Sequence, residues 1–571
     1  MMNQEQPEFP RSFVPQHCEL GDWEAIHPLF EDLIERELES PEQLETWLLH
    51  QSELAACLDE ERARRYIAMT CNTHDPQCES RFLHFLENIE PKCKPLWHQI
   101  NQKYHDSPLR SQLPQTRYEV LDRNIEAEIR IYHPDNVALQ TKAAKWSQKY
   151  QKICGAMTVE FNGEEHTLPQ MSKYLEETDR SLRENAWERV AMRRLQDREE
   201  IDEIFDELIE LRDRIARTAG FDHYVDYAFM ANQRFDYRPE DCVTFHQAVE
   251  HYVVPLARRL TETRREIMGL EALRPWDMAV DPLGRPPLRP FANTDELVEG
   301  VKRILRHVDN SLAEQFEGMA QRRELDLDSR KGKAPGGYQY TLEESRRPFI
   351  FMNAAGLHRD VMTLLHEAGH AFHCLATREE PLIEYRASPI EFAEVASMAM
   401  ELFGVGALNE FYSSSEAARA QRRHFEGIIK ILPWIAQIDA FQHWLYQNPN
   451  HTQEERNGYW LSLDRRFGVP LDWQGYEESR ASMWHRQLHL FCHPLYYIEY
   501  GIAQIGALQL WTQFQENPAD AVGRYQAALA LGGSRPLPEL FEAAGIRFDF
   551  SQETIQPLMQ RIEEQLDTLP V

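Results

Sequence analysis

Val361-Met362-Thr363-Leu364-Leu365-His366-Glu367-Ala368-Gly369-His370-Ala371-Phe372-His373-Cys374-Leu375 is the stretch on which the reading of this chain turns. Val361, Leu364, Leu365, Ala368, Phe372 and Leu375 recur at helical spacing and form an apolar face, while His366, His370 and His373 line another. The pattern predicts an amphipathic, core-packed helix over about 358–376. Within it, His366 and His370 stand four apart, so their rings share one face and can bind a single ion. Glu367, one step round, can reach a water on that ion. In a chain this rich in histidine and glutamate, the bare H-E-x-x-H pattern arises by chance in roughly one chain in ten, so its surroundings carry the argument. Asp360 near the start suits the helix dipole. Gly369 in mid-helix costs about 1 kcal/mol relative to alanine, unless something must approach closely there.

A catalytic zinc site needs a third protein ligand and keeps one position open. An extended pattern with glycine at 373 and a third histidine at 376 is excluded, since these positions are His373 and Ala376. A glutamate about twenty residues after the second histidine would fall at 389 or 390, which are Pro389 and Ile390. The nearby acidic residues are Glu391, Glu394 and Glu401. Ser388-Pro389 signals a helix start, and Glu394, Ser397 and Glu401 then follow on one helical face. Spacing favours Glu394 as the ligand, with Ser397 and Glu401 as partners that orient the ligands. Glu391 stays open as an alternative, because a first-turn carboxylate equally serves the helix dipole.

Several segments together resemble the thimet-type zinc oligopeptidases, and within them the bacterial oligoendopeptidase F branch. They are Arg347-Pro348-Phe349-Ile350-Phe351-Met352-Asn353 running into the motif helix, Phe392-Ala393-Glu394-Val395-Ala396-Ser397, and His489 to Gly501 with Tyr496-Tyr497 and Tyr500. Their order and spacing are similar to the family over roughly 160–560. The resemblance implies that Glu394, in the E-V-x-S stretch, is the third ligand of a single zinc ion. It also implies that His489, Tyr497 and Tyr500 stabilise the oxyanion and hold substrate, a role suited to imidazole and phenol donors. His493 stands where an apolar residue is expected, which leaves open whether His489 or His493 faces the metal. Upstream, Gly332-Lys333-Ala334-Pro335-Gly336-Gly337-Tyr338 and the β-prone run Pro348 to Met352 resemble the family's substrate-contacting loop and edge strand, with Gly336, Gly337 and Tyr338 as candidate contacts.

Composition bounds the rest. A chain of 571 residues with 42% hydrophobic content is long enough to bury a large core. A formal net charge of −31 disfavours nucleic acid and anionic membrane surfaces as partners, because they would be repelled. Met1 to Gln16 has no apolar signal-like run, and the apolar stretch Gly427 to Phe441 is broken by Lys430, Pro433, Gln437 and Asp439, so a cytoplasmic protein is expected. Nine cysteines without a C-x-x-C pair fit reduced thiols.

Most of the chain reads as helix. Ile201, Ile204, Phe205, Leu208, Leu211 and Ile215 form a stripe that stops at Gly220, and similar patterns occur in 20–50, 170–193, 241–268, 294–325, 415–445 and 553–568. Strand candidates are Tyr118 to Leu121 with Ile125 to Tyr132, Met157 to Phe161, and Phe349 to Met352. The expected fold is therefore mainly α with a small β-sheet next to the zinc-binding helix. The resemblance adds a zincin-type metallopeptidase with two helical lobes around a deep central cleft. An N-terminal, mainly helical region is expected over 1–155 and a catalytic region over 156–571. The expected activity is zinc-dependent hydrolysis of internal bonds in short peptides, with Glu367 as general base. Its rivals are a C-terminal dipeptide-releasing exopeptidase of the same clan and a non-catalytic peptide-binding protein on the same scaffold.

Overall fold

The computed structural model describes residues 8–334 and 336–571. Pro335 of the glycine-bearing loop and the first seven residues of the Met1 to Gln16 segment lie outside the described residues. The chain is mainly helical with a two-stranded hairpin and a three-stranded sheet, and it forms two units that interleave along the sequence.

The first unit comprises 1–130, 289–417 and 506–548. Its motif helix, His358–Ala376, has the predicted bounds. Asp360 Oδ2 accepts from the backbone N–H groups of Ala355 (2.8 Å) and Leu357 (2.9 Å), tying the entry of the helix to its own first turn. Val361, Leu364, Leu365 and Ala368 are fully buried, each large aliphatic side chain stabilising by roughly 1.5–3 kcal/mol, so packing rather than propensity fixes this helix. Helix Ile390–Gly404 packs across it, with Pro389 as its cap. In the three-stranded sheet Arg347–Ala354 is central. Leu325–Asp328 pairs with it in parallel on one side, and Tyr338–Leu342 pairs antiparallel on the other, with Tyr338 opposite Phe351. Tyr338–Leu342 is thus an edge strand, and both it and Arg347–Ala354 pack on the motif helix.

The same unit holds the N-terminal helices Trp23–Glu35, Pro41–Cys71, Glu90–Asp106 and Gln115–Ile131 around Phe30, Leu44, Trp47 and Tyr104. Their core extends to Leu382 and Tyr385, in the link between the two site helices. Tyr385 Oη donates to Arg117 O (2.7 Å) and accepts from Leu121 N (3.2 Å), and Ser52 Oγ receives Ile383 N–H (2.6 Å). Residues 118–132 correct the strand expectation. Tyr118, Leu121 and Ile125 are buried on one face of the helix Gln115–Ile131, where spacings of three and four outweigh the β-propensity of the individual side chains.

The second unit comprises 131–288, 418–505 and 549–571. Arg198–Thr218 buries the expected stripe against Pro134–Gly155, and Gly220, at φ +82°, follows its end. Thr158–Phe161 and Glu164–Thr167 form the hairpin. The 241–268 pattern resolves into Pro239–Ala248 and Val254–Ile267, joined through one widened turn at Val249–Val253. In the first unit, the 294–325 pattern splits into Thr294–Val308 and Asn310–Gln321, where Asp309 caps the second helix through Ser311 N (2.8 Å). Among the described residues, no helix is long and apolar enough to cross a membrane.

Candidate functional site

The crossing of His358–Ala376 and Ile390–Gly404 is made possible by a missing side chain. A Cβ at Gly369 would lie 2.6 Å from Ala396 O and 2.6 Å from Ser397 Cα. The close approach anticipated from a mid-helix glycine is therefore to the backbone of the helix that carries Glu394. Gly369→Ala would gain about 1 kcal/mol of helix propensity. The clash, with rigid backbone on both sides, costs roughly 1–3 kcal/mol and pushes the two helices apart. A lower unfolding temperature and a reduced metal content are expected; an unfolding temperature at or above that of the parent chain would refute the close-contact account.

Across this contact the structure brings His366, His370 and Glu394 together. Their ligand atoms all lie within 4.8 Å of one another, with His366 Nε2 3.4 Å from Glu394 Oε2 and His370 Nε2 3.8 Å from Glu394 Oε1. A tetrahedral ion with bonds of about 2.0–2.2 Å sets its ligand atoms about 3.3–3.6 Å apart; the donor set fits zinc in identity, with the His366–Glu394 pair at that spacing and the His370–Glu394 pair slightly wider. Glu401 Oε1 accepts from His366 Nδ1 at 2.7 Å, which leaves the Nε2 lone pair for an ion. Ser397 Oγ stands 3.1 Å from Glu394 Oε2 and 3.0 Å from Glu394 O, placing it as a donor to the carboxylate or to its backbone. Glu391 is buried on the same helix but is not part of the three-residue group.

The electrostatics are those of a buried anionic pocket. Burial opposes charge on His366, but the Glu401 hydrogen bond and the charges of Glu401, Glu394 and Glu367 outweigh it and push its pKa up to about 9. His370 is held well below its ordinary value by burial and by its histidine neighbours. Burial raises Glu394 against the pull of His366 and Ser397. Glu367 is also pushed up, to about 7, chiefly by burial; His366 and a backbone hydrogen bond from Gln339 pull the other way. That bond links the carboxylate to the edge strand Tyr338–Leu342.

His373 lies on the helix face of the pair but is used otherwise. Ser388 Oγ donates to Gly532 O (2.9 Å), so its remaining capacity accepts from His373 Nε2 (2.9 Å), and burial lowers His373 to about 4. Gly532, at φ +50°, sits against Tyr385 O where no side chain fits, which seats this anchor.

The glycine-bearing segment is held in place from beneath. Asn353 Nδ2 donates to Ala334 O (2.8 Å) and Gly336 O (2.9 Å), and Lys333 Nζ reaches Asp326 O and Asp328 O (both 2.9 Å). Gly337 lies over Phe351 O, while the Tyr338 ring stacks on Phe351 and its hydroxyl bonds Thr70 Oγ1 (2.7 Å).

His489, Tyr497 and Tyr500 belong to the second unit, where they form one cluster. The His489 ring centroid is 4.9 Å from Tyr497 and 5.7 Å from Tyr500. His493 (6.0 Å) and Tyr496 (5.9 Å) complete it, and Gln487 Nε2 meets His489 Nδ1 at 2.8 Å. His489 is within the short helix Leu488–Cys492 and Tyr500 within the helix Ile498–Glu516. Tyr496 and Tyr497 lie in the turn between these two helices. Leu495 makes that turn at φ +61°, a conformation costly for a branched side chain and held here by burial and by Gln442 Oε1 on its N–H (2.5 Å). Burial lowers His489 to about 4, so it is neutral at physiological pH. Gln487 and Tyr496 carry no site role in the sequence reading, where Tyr496 is visible only beside Tyr497, and Ser388 reads there only as a helix start.

A helical chain with two imidazoles and a carboxylate gathered at a helix crossing has the framework of an H-E-x-x-H metallopeptidase. Residues 173–559 match Peptidase family M3 and residues 13–132 match the Peptidase M3 N-terminal domain; the chain belongs to peptidase family M3. A solved structure of PZ peptidase A with inhibitor 2 is similar at a TM-score of 0.90 and 31% identity, covering 98% of this chain and 99% of that one. Oligoendopeptidase-F from Enterococcus faecium shares the fold, with a TM-score of 0.63 at 16% identity over 96% of this chain and 97% of that one. Oligopeptidase PepF of Bacillus subtilis (strain 168) is 25% identical over 329 residues, 55% of this chain and 47% of that protein. The chromosomal oligoendopeptidase F of Lactococcus lactis subsp. cremoris is 28% identical over 157 residues, 26% of this chain and 24% of that protein. The chain thus spans about half or less of the length of these curated relatives.

Proposed function

We propose that this protein is a zinc-dependent oligoendopeptidase that hydrolyses internal bonds of short peptides in the cytoplasm. The observation that carries the reading is the meeting of His366, His370 and Glu394 beside Glu367, a buried carboxylate whose pKa is near neutrality. These three residues would hold one zinc ion, which supplies Lewis acidity to polarise the scissile carbonyl and lower the pKa of water. Glu367 takes a proton from the attacking water and passes it to the leaving amine nitrogen; a carboxylate poised near 7 can do both. The edge strand Tyr338–Leu342, with Gly336 and Gly337 before it, offers backbone pairing to an extended peptide. The family resemblance supports His489, Tyr497 and Tyr500 as donors to the developing oxyanion; Tyr→Phe variants with normal KM and reduced kcat would bear this out.

Cleavage of peptides blocked at both ends tests the endopeptidase reading. Products from an acetylated, amidated peptide library that vanish on chelation and return with zinc are expected. Cleavage restricted to free C-termini would replace this reading with the exopeptidase one.

Zinc affinity should depend steeply on pH. In the metal-free chain His366 keeps its proton up to about pH 9, and the ion needs the neutral ring. Protons therefore compete below that value, and affinity falls as pH falls, by about tenfold per pH unit between 9 and 7. Competition with a chromophoric chelator at pH 6.5, 7.5 and 8.5 reads this directly, and equal affinities across the series would contradict it.

A further inference from the structure

Among the described residues, two groups of three side chains have ligand atoms close enough to share one ion. The first is the His366 group, and the second is Cys242, Asp439 and His443, which lies wholly in the second unit. This second group has a simple origin in sequence. Cys242 and His246 are four apart on the helix Pro239–Ala248, and Asp439 and His443 are four apart on the helix Ser414–Gln447. Each pair presents both its side chains on one helical face, and the two faces meet. His246 Nε2 lies 2.7 Å from Asp439 Oδ2, and His443 Nε2 lies 3.4 Å from the same oxygen.

All four side chains are buried, and Cys242 and Asp439 are completely so. Two polar atoms in the group lack a hydrogen-bond partner: Asp439 Oδ1 and His443 Nε2. Buried acceptors and ring nitrogens are nearly always satisfied, so a carboxylate oxygen and an imidazole nitrogen left open beside a thiol call for a missing partner. A divalent cation satisfies both at once. Its two charges would match those of a thiolate at Cys242 and the Asp439 carboxylate.

We propose that Cys242, Asp439 and His443 form a second, structural metal site for one zinc-type divalent cation, with His246 fixing the carboxylate by its hydrogen bond. The donor set selects the ion class. Thiolate with imidazole suits zinc and its cobalt substitute, whereas magnesium and calcium require oxygen ligands. Complete burial marks the role as structural, because no substrate can reach the ion. The hydrogen bond from His246 to Asp439 has the form common around metal-bound carboxylates. Sites of this kind arise in helical cores where facing helices each contribute paired side chains.

The test uses cobalt. The His366 group contains no sulfur, so a thiolate-to-cobalt charge-transfer absorption in the near ultraviolet reports on the Cys242 site alone. The full-length chain, stripped with chelator and reloaded with Co2+, is expected to bind two equivalents by elemental analysis and to show this band. Cys242→Ser should lose the band and one equivalent while retaining the other. If that variant does not fold, His443→Gln provides the same comparison, and the absorption of the unmodified chain still decides. One equivalent without the band overturns the proposal and leaves a hydrogen-bonded Asp–His cluster. A band that persists in Cys242→Ser overturns it as well, since another thiol would then be the ligand.

Discussion

Glu367→Gln is expected to lower kcat by about 10²–10⁴-fold while zinc remains bound. Glutamine fills the same buried space, so the side chain stays in place. What it loses is the capacity to take a proton. The three metal donors are untouched. Removing one negative charge weakens attraction for the cation, but it also removes one of the charges that keep His366 protonated, and these effects on metal affinity oppose each other. KM should therefore change little. Undiminished hydrolysis by the variant would sink the proposed role of Glu367.

Glu394→Ala is expected to reduce zinc affinity by more than 100-fold. Substitutions of residues that merely orient a ligand typically cost 10–100-fold, and Glu401→Gln should fall in that range. Loss of Glu394 goes further, because it removes one of three donors and the only negative one. It also leaves Ser397 Oγ without the carboxylate oxygen 3.1 Å away. Glu391→Ala serves as the control and should keep its metal. Elemental analysis separates the two glutamates: a full zinc complement in Glu394→Ala would move the ligand role to Glu391.

Where a functional group depends on helical spacing, the sequence was read without difficulty. The His366–His370 pair, the placement of Glu394, Ser397 and Glu401 on one face, and the meaning of Gly369 all follow from a period of 3.6 residues. The limits appear where tertiary contact decides. Tyr118 to Tyr132 is rich in residues that favour strands, yet Tyr118, Leu121 and Ile125, buried and spaced three and four apart, mark a helical face and the segment packs as a helix. Leu325–Asp328 is a four-residue strand in which acidic and apolar residues alternate, too short for periodicity to reveal. Ser388 reads locally as a helix-start residue, but its hydroxyl is committed to His373 and, 144 positions away, to Gly532. The turn at Leu495 has no sequence signature, because its positive φ is borne by a leucine rather than a glycine.

The edge strand Tyr338–Leu342 has a consequence for cleavage position. In the proposed reaction, the strand that would align a peptide also packs on the helix that carries the proton acceptor, so both are measured from the same row of backbone atoms. A peptide that slips along the edge by two residues keeps its backbone pairing and presents a different bond to a carboxylate that has not moved. Substrate register, rather than side-chain chemistry at the broken bond, would then choose the cut, and the fragments from one peptide should differ in length by whole strand repeats of two residues.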